Sequence, residues 1–168
     1  MKEVTITIDE SRIKERIFRQ SGYTAVVRSK AGLPGQFTDI MQATDDEDDM
    51  VKHFISDSIN EVAGVINRYL APGSTKFIEN GNERERTMYI SFTLPHNCPE
   101  SIMATLKECI ISFAAARSLQ HWNLIVKPDE SNIHIAKAQN ELVRMRELLS
   151  TRTRPEKGNG EGNGIIEL

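Results

Sequence analysis

Aromatic residues are scarce in this chain, at 6%, and its 168 residues include only two cysteines, Cys98 and Cys109. Neither cysteine has a partner at metal-binding or redox spacing, so zinc-ribbon and CxxC chemistry are excluded. Cys109 falls in an apolar helical stretch and reads as a buried thiol, which suits synthesis in a reducing cytosol. No apolar run approaches the length of a membrane span, and Met1–Ile8 lacks the apolar core of a secretory signal. No excess of one charge sign is present either. The formal net charge of −3 gives no general reason to expect nucleic-acid binding.

Enzyme signatures are equally missing. There is no GxSxG, no HExxH and no phosphate-binding glycine loop. The four histidines, His53, His96, His121 and His134, are scattered without ligand spacing. His96 with Cys98 lacks a third group to orient a base, and His121-Trp122 reads as a structural pair. The basic stretch 152-RTRPEK-157 suffices only for loose phosphate attraction. The residues therefore point to no catalytic group, no cofactor and no metal. They describe a protein whose surface, not a pocket, does its work.

What the chain does contain is a core. Hydrophobic residues at 39% and charged residues at 27% fit one globular domain. The run 43-ATDDEDDMVKHF-54 is its most conspicuous feature. As a calcium loop it fails, because Met50 stands where the glycine is needed and Ser56 where the last carboxylate is needed. As a helix start it succeeds. Thr44 and Glu47 form a capping box, and Asp45, Asp46 and Asp48 meet the positive end of the helix dipole. Val51, Phe54, Ile55, Ile59, Val62, Val65, Ile66, Tyr69 and Leu70 then follow at helical spacing, predicting a helix over Asp45–Leu70 that stops at 71-APGS-74.

The remaining elements follow the same logic. Val4–Ile8 alternates as a short strand, and Asp9 caps a helix over Glu10–Arg19 that Gly22 weakens before it resumes through Tyr23–Arg28. The stretch 31-AGLPGQ-36 is a loop, with a short turn at Phe37–Gln42. Thr75–Glu79 and Thr87–Leu94 flank the turn signal 80-NGN-82, so a β-hairpin is expected at about 75–94. Its alternating 83-ERER-86 reads as a solvated, self-neutralising tip. Pro99 opens a helix running to about Val126 that is apolar on more than one face and therefore central. After 127-KP-128, a last helix from Asp129 or Ser131 carries the one-sided stripe Ile135, Ala138, Leu142, Met145 and Leu149.

The expected fold is mainly α: a bundle of three to five helices with a projecting β-hairpin and extended terminal arms. Residues 1–154 form one domain. Residues 155–168 form a glycine-rich arm, flexible by composition, that ends in 165-IIEL-168.

This order of elements resembles the head–tail connector, or adaptor, proteins of tailed bacteriophages and prophages. The resemblance covers about Thr38–Arg154. It lies in the acidic helix TDDEDDMVKHFISDSINEVAGVINRYL, the hairpin, the apolar helix PESIMATLKECIISFAAARSLQHW, and the closing LLSTR. It implies a non-enzymatic virion protein made in the bacterial cytoplasm. Copies would form a ring, of about twelve subunits, in the neck. That ring would contact the portal protein and the next neck or tail protein and let DNA through without sequence-specific binding, with no membrane involved. On this reading the assembly interface is expected at Phe77, Ile78, Arg84, Arg86, Tyr89 and Phe92 of the hairpin, and at Ile165, Ile166 and Leu168 of the arm. The alternatives are a tail-completion protein or a helical protein-binding or regulatory module of the bacterial cytosol.

Overall fold

A computed structural model describes residues 1–30, 48–79 and 86–152. The order is strand β1 (Lys2–Asp9), helix α1 (Glu10–Lys30), helix α2 (Asp48–Val65), strands β2 (Leu70–Glu79) and β3 (Arg86–Leu94), helix α3 (Ile102–Val126) and helix α4 (Ser131–Ser150). The chain is mainly helical, with a small antiparallel sheet in the order β1-β3-β2.

Helix α3 is the axis of the molecule. Leu106, Cys109, Ile110, Ile111, Phe113, Ala114, Leu119 and Trp122 are all buried, and they point in every direction around it. A helix that is apolar all round must be covered all round. Its neighbours do this: α4 packs along it as an antiparallel partner, while α1 and α2 take other sides. Helix α2 contributes Val51, Ile55, Ile59 and Val62, and α4 contributes Ala138, Met145 and Leu149, each set on one helical stripe.

The sheet closes the core. β1 runs antiparallel to β3 with Ile6 opposite Ile90, Val4 opposite Phe92 and Ile8 opposite Met88. Period-two alternation sends Met88, Ile90, Phe92 and Leu94 to one face, and all four are buried with Ile6 and Ile8. The hairpin is therefore present, but its second arm is the central strand of a sheet pressed onto the helices. The N-terminal segment is extended as expected, yet it is a strand of the chain's own sheet.

Four boundaries differ from the sequence expectation. Helix α1 continues unbroken through Gly22. Helix α2 ends at Val65, and a 3₁₀ turn over Asn67–Tyr69 leads into β2 at Leu70 instead of a helix reaching Leu70. The expected loop 71-APGS-74 lies within β2, where the register slips between Leu70 and Thr75 and Gly73 adopts a positive φ of 70°. Proline without an N–H and glycine with positive φ are tolerated there because β2 is an edge strand. Helix α3 begins at Ile102; the preceding residues form turns closed by Cys98 N–H to the Pro95 carbonyl and Met103 N–H to the Glu100 carbonyl. The capping box at Thr44–Glu47, the 80-NGN-82 turn and the arm 155–168 lie outside the described residues.

Candidate assembly interface

The residues expected to bind a neighbour occupy unlike places. Ile78 is exposed at the outer end of β2, and Tyr89 is half-buried on the outer face of the sheet. Phe77 stands opposite Met88 in the ladder. Arg84, Ile165, Ile166 and Leu168 fall outside the described residues. Two of the expectations need correction.

Phe92 is fully buried in the core, because β1 pairs with the far side of β3 and fixes Phe92 on the helix-facing side. It is not available to a partner. Arg86 is not part of a solvated tip either. Its guanidinium meets the Glu10 carboxylate twice, Nη2 to Oε1 at 2.8 Å and Nε to Oε2 at 3.0 Å. It also donates to the Lys52 carbonyl and the Ser56 hydroxyl of α2. Arg86 is a structural clamp. Sequence reasoning grouped it with Glu83, Arg84 and Glu85, and nothing local marks Glu10 as its distant partner.

The acidic start of α2 is committed in a similar way. Asp48 accepts from Lys14 at 2.5 Å and from Lys52 at 2.8 Å. Burial alone would raise the Asp48 carboxyl, but the two lysines outweigh it and hold it below its ordinary 3.8. Among the described residues, no group of three or more His, Cys, Asp or Glu side chains could hold a metal ion. Cys98 and Cys109 are free thiols and buried. Burial, reinforced by Glu141, pushes the Cys109 thiol up to about 11. His121 stacks on Phe54 of α2, with ring centres 5.4 Å apart.

Among the described residues, three surfaces are open to recognition. The first is apolar. Leu124 (48% exposed) and Ile125 (61%) lie in the last turn of α3, and Ile133 (70%) lies in the first turn of α4. The short connection over Lys127–Glu130 places all three at one end of the bundle. Further along α4, Val143 is also exposed. Nothing local in the sequence marks this end, because Leu124 and Ile125 continue a helix that is apolar on more than one face.

The second surface is a groove of about 310 Å³ lined by Arg12, Glu15, Arg16, Arg19 and Gln20 of α1 and by Ile111. Arg16 donates to Ser112 at 2.5 Å and to Glu108 at 3.1 Å, and Arg12 reaches the same carboxylate at 3.4 Å. Arg19 pairs with Glu15. At the rim, Lys137 of α4 donates to Gln20 at 3.3 Å. The third surface is the outward face of α2, where Asp49, His53, Asp57 and Asn60 are exposed.

No helix among the described residues is long and apolar enough to cross a membrane. Comparison with family models, with curated proteins and with solved structures finds no match to this chain.

Proposed function

We propose that the protein is a structural subunit of the neck of a tailed phage, forming a ring that joins the portal to the tail and continues the DNA channel. The observation that carries this reading is the exposed aliphatic end of the bundle, Leu124, Ile125 and Ile133. Large aliphatic side chains gathered at one end of a small domain mark a protein–protein surface. The element order supports it: an acidic helix, a hairpin, a central apolar helix and a closing helix, as in head–tail connectors. The α1 groove, lined by Arg12, Glu15, Arg16 and Arg19, suits a contact between macromolecules better than a small apolar substrate. On this reading the subunit is not an enzyme, needs no cofactor, and resides in the virion.

The test has two parts. The free protein is sized by native mass spectrometry and imaged by electron microscopy, and purified tailed particles are probed for the chain at the neck. Closed rings with an open centre, or a defined number of copies at the neck, support the proposal. Ile125→Glu and Ile133→Glu should leave subunit melting within about 0.5 kcal/mol of the parent, since both sites are exposed, and should reduce incorporation. A chain that forms no ring and is absent from particles overturns the reading. A one-to-one complex with a cytosolic protein would then favour the regulatory module.

A further inference from the structure

The arginine groove of α1 and the acidic face of α2 are anchored on opposite faces of the central helix, while the two helices touch each other at Lys14 and Asp48. Arg16 is anchored on α3 by Glu108 and Ser112. On α2, Glu61 accepts from Arg117 at 2.7 Å, and Phe54 stacks on His121. Arg117 follows Glu108 by nine residues, and His121 follows Ser112 by nine. At 3.6 residues per turn, nine residues make about two and a half turns, so the two anchor pairs face opposite ways. Helix α2 buries Val51, Ile55, Ile59 and Val62 toward α3 and turns Asp49 and Asp57 outward, away from it.

The two surfaces are opposite in sign. Around the groove, Arg12, Arg16, Arg19 and Lys137 outnumber the carboxylates of Glu15 and Glu108. On the outward face of α2, Asp49 and Asp57 stand with His53, which meets Asp57 at 3.5 Å and is charged only when protonated. In sequence, Asp45, Asp46 and Glu47 precede this face. A molecule with complementary charge on opposite flanks can repeat against itself in one direction. A heterologous ring contact can use that arrangement.

We propose that copies of this chain meet head to tail, the Arg12–Arg16–Arg19 groove of one copy receiving the Asp49–Asp57 face of the next. The inference rests on the ring reading and names the contact that builds it. Arg16 is held from within its own subunit, whereas Arg12 and Arg19 are more than half exposed, and their solvated pairs with Glu108 and Glu15 can exchange for carboxylates of the next copy. Being electrostatic and partly solvated, the contact weakens as salt rises.

Charge reversal in two separate chains tests it. One carries Arg12→Glu and Arg19→Glu, the other Asp49→Lys and Asp57→Lys, and thermal melting confirms that both still fold. Assembly is read by native mass spectrometry, or by copy number in purified particles if the parent assembles only there. Each variant alone should assemble about tenfold less well, because like charges then face each other. Mixing the two should restore assembly, since each reversed surface now meets its complement on the other chain. Parent rings indifferent to either variant overturn this contact and leave the ring standing. So does a mixture that stays apart. A parent chain that never self-associates overturns both readings. If short DNA duplexes bind the parent, and the arginine variant loses that binding without any change in assembly, the groove serves phosphate and not a second copy.

Discussion

Arg86, the first residue of β3, and Glu10, the first residue of α1, form a two-pronged ion pair in which the carboxylate is only 1% exposed. The same guanidinium holds the Lys52 carbonyl at 3.1 Å and the Ser56 hydroxyl at 3.0 Å. One side chain thus ties the sheet to two helices, beside the Lys14–Asp48 pair that joins those helices directly. Replacing Glu10 with alanine leaves a largely desolvated guanidinium without its counter-charge, and the expected loss is about 3–5 kcal/mol. Arg86→Lys should recover little of what Arg86→Ala loses, because a lysine ammonium cannot make the forked contact. Urea denaturation of the three variants measures this. A loss under about 1 kcal/mol for Glu10→Ala would mean that the pair behaves as a solvated surface bridge.

The sheet residues should separate into two groups by face. Phe92 and Phe113 are both buried, and alanine at either should cost about 3–5 kcal/mol. Ile78 is exposed on the edge strand, so Ile78→Ala should stay within about 0.5 kcal/mol of the parent. Equal losses at Phe92 and Ile78 in thermal denaturation would contradict the assignment of faces.

Both thiols should be inert in the folded chain. Cys98 and Cys109 are buried, and the raised Cys109 thiol, at about 11, carries almost no thiolate at neutral pH. Ellman's reagent at pH 8 should therefore react slowly with the native protein and release two equivalents promptly in denaturant. Rapid native reaction of one equivalent would show that a cysteine reaches solvent.

Stability should fall as the medium turns mildly acid. His121 is held below its ordinary 6.5 by burial and then by Arg117, and His134 by burial and then by Lys137. Above about pH 6.5 both imidazoles are neutral in the folded and unfolded chain, so the shifts have no effect there. Below it the unfolded chain takes up protons first, and the fold loses stability. Asp48, depressed below 3.8, acts at lower pH: its contribution is intact above that value and fades only as pH drops further. Urea midpoints between pH 8 and 5 should decline, and His121→Gln with His134→Gln should flatten the curve. An unchanged slope in the double variant would assign the decline to other groups.

How much of this could be read from residues alone depended on distance along the chain. The central position of α3 was legible because Ile110, Phe113, Leu119 and their neighbours leave no polar face. The stripe of α4 was legible at Ala138, Met145 and Leu149 for the same local reason. The pairing of β1 with β3 was not, although Val4, Ile6 and Ile8 match Phe92, Ile90 and Met88 position for position. Alternation tells that a strand exists and which residues share a face, but not which strand it joins. The Arg86–Glu10 pair was hidden for a related reason. A local view of 83-ERER-86 sees a charge pattern that neutralises itself, while the partner that decides the energetics lies 76 positions earlier. The spacing predicts too long a helix α2 because Ile66, Tyr69 and Leu70 continue its period, yet Leu70 is taken into the ladder opposite Phe92.

The order of strands also dictates an order of events during synthesis. β1 leaves the ribosome first, but the strand it needs begins at Arg86, after α1, α2 and β2 have been made. β2 and β3 are close neighbours in the chain and can pair as soon as both emerge, whereas β1 must wait and then close a long loop. Until then its apolar edge is bare, and Val4, Ile6 and Ile8 offer a template to any other extended chain nearby. Docking of the N-terminal strand is accordingly expected late in folding, and a bulky fusion placed before Lys2 should slow it.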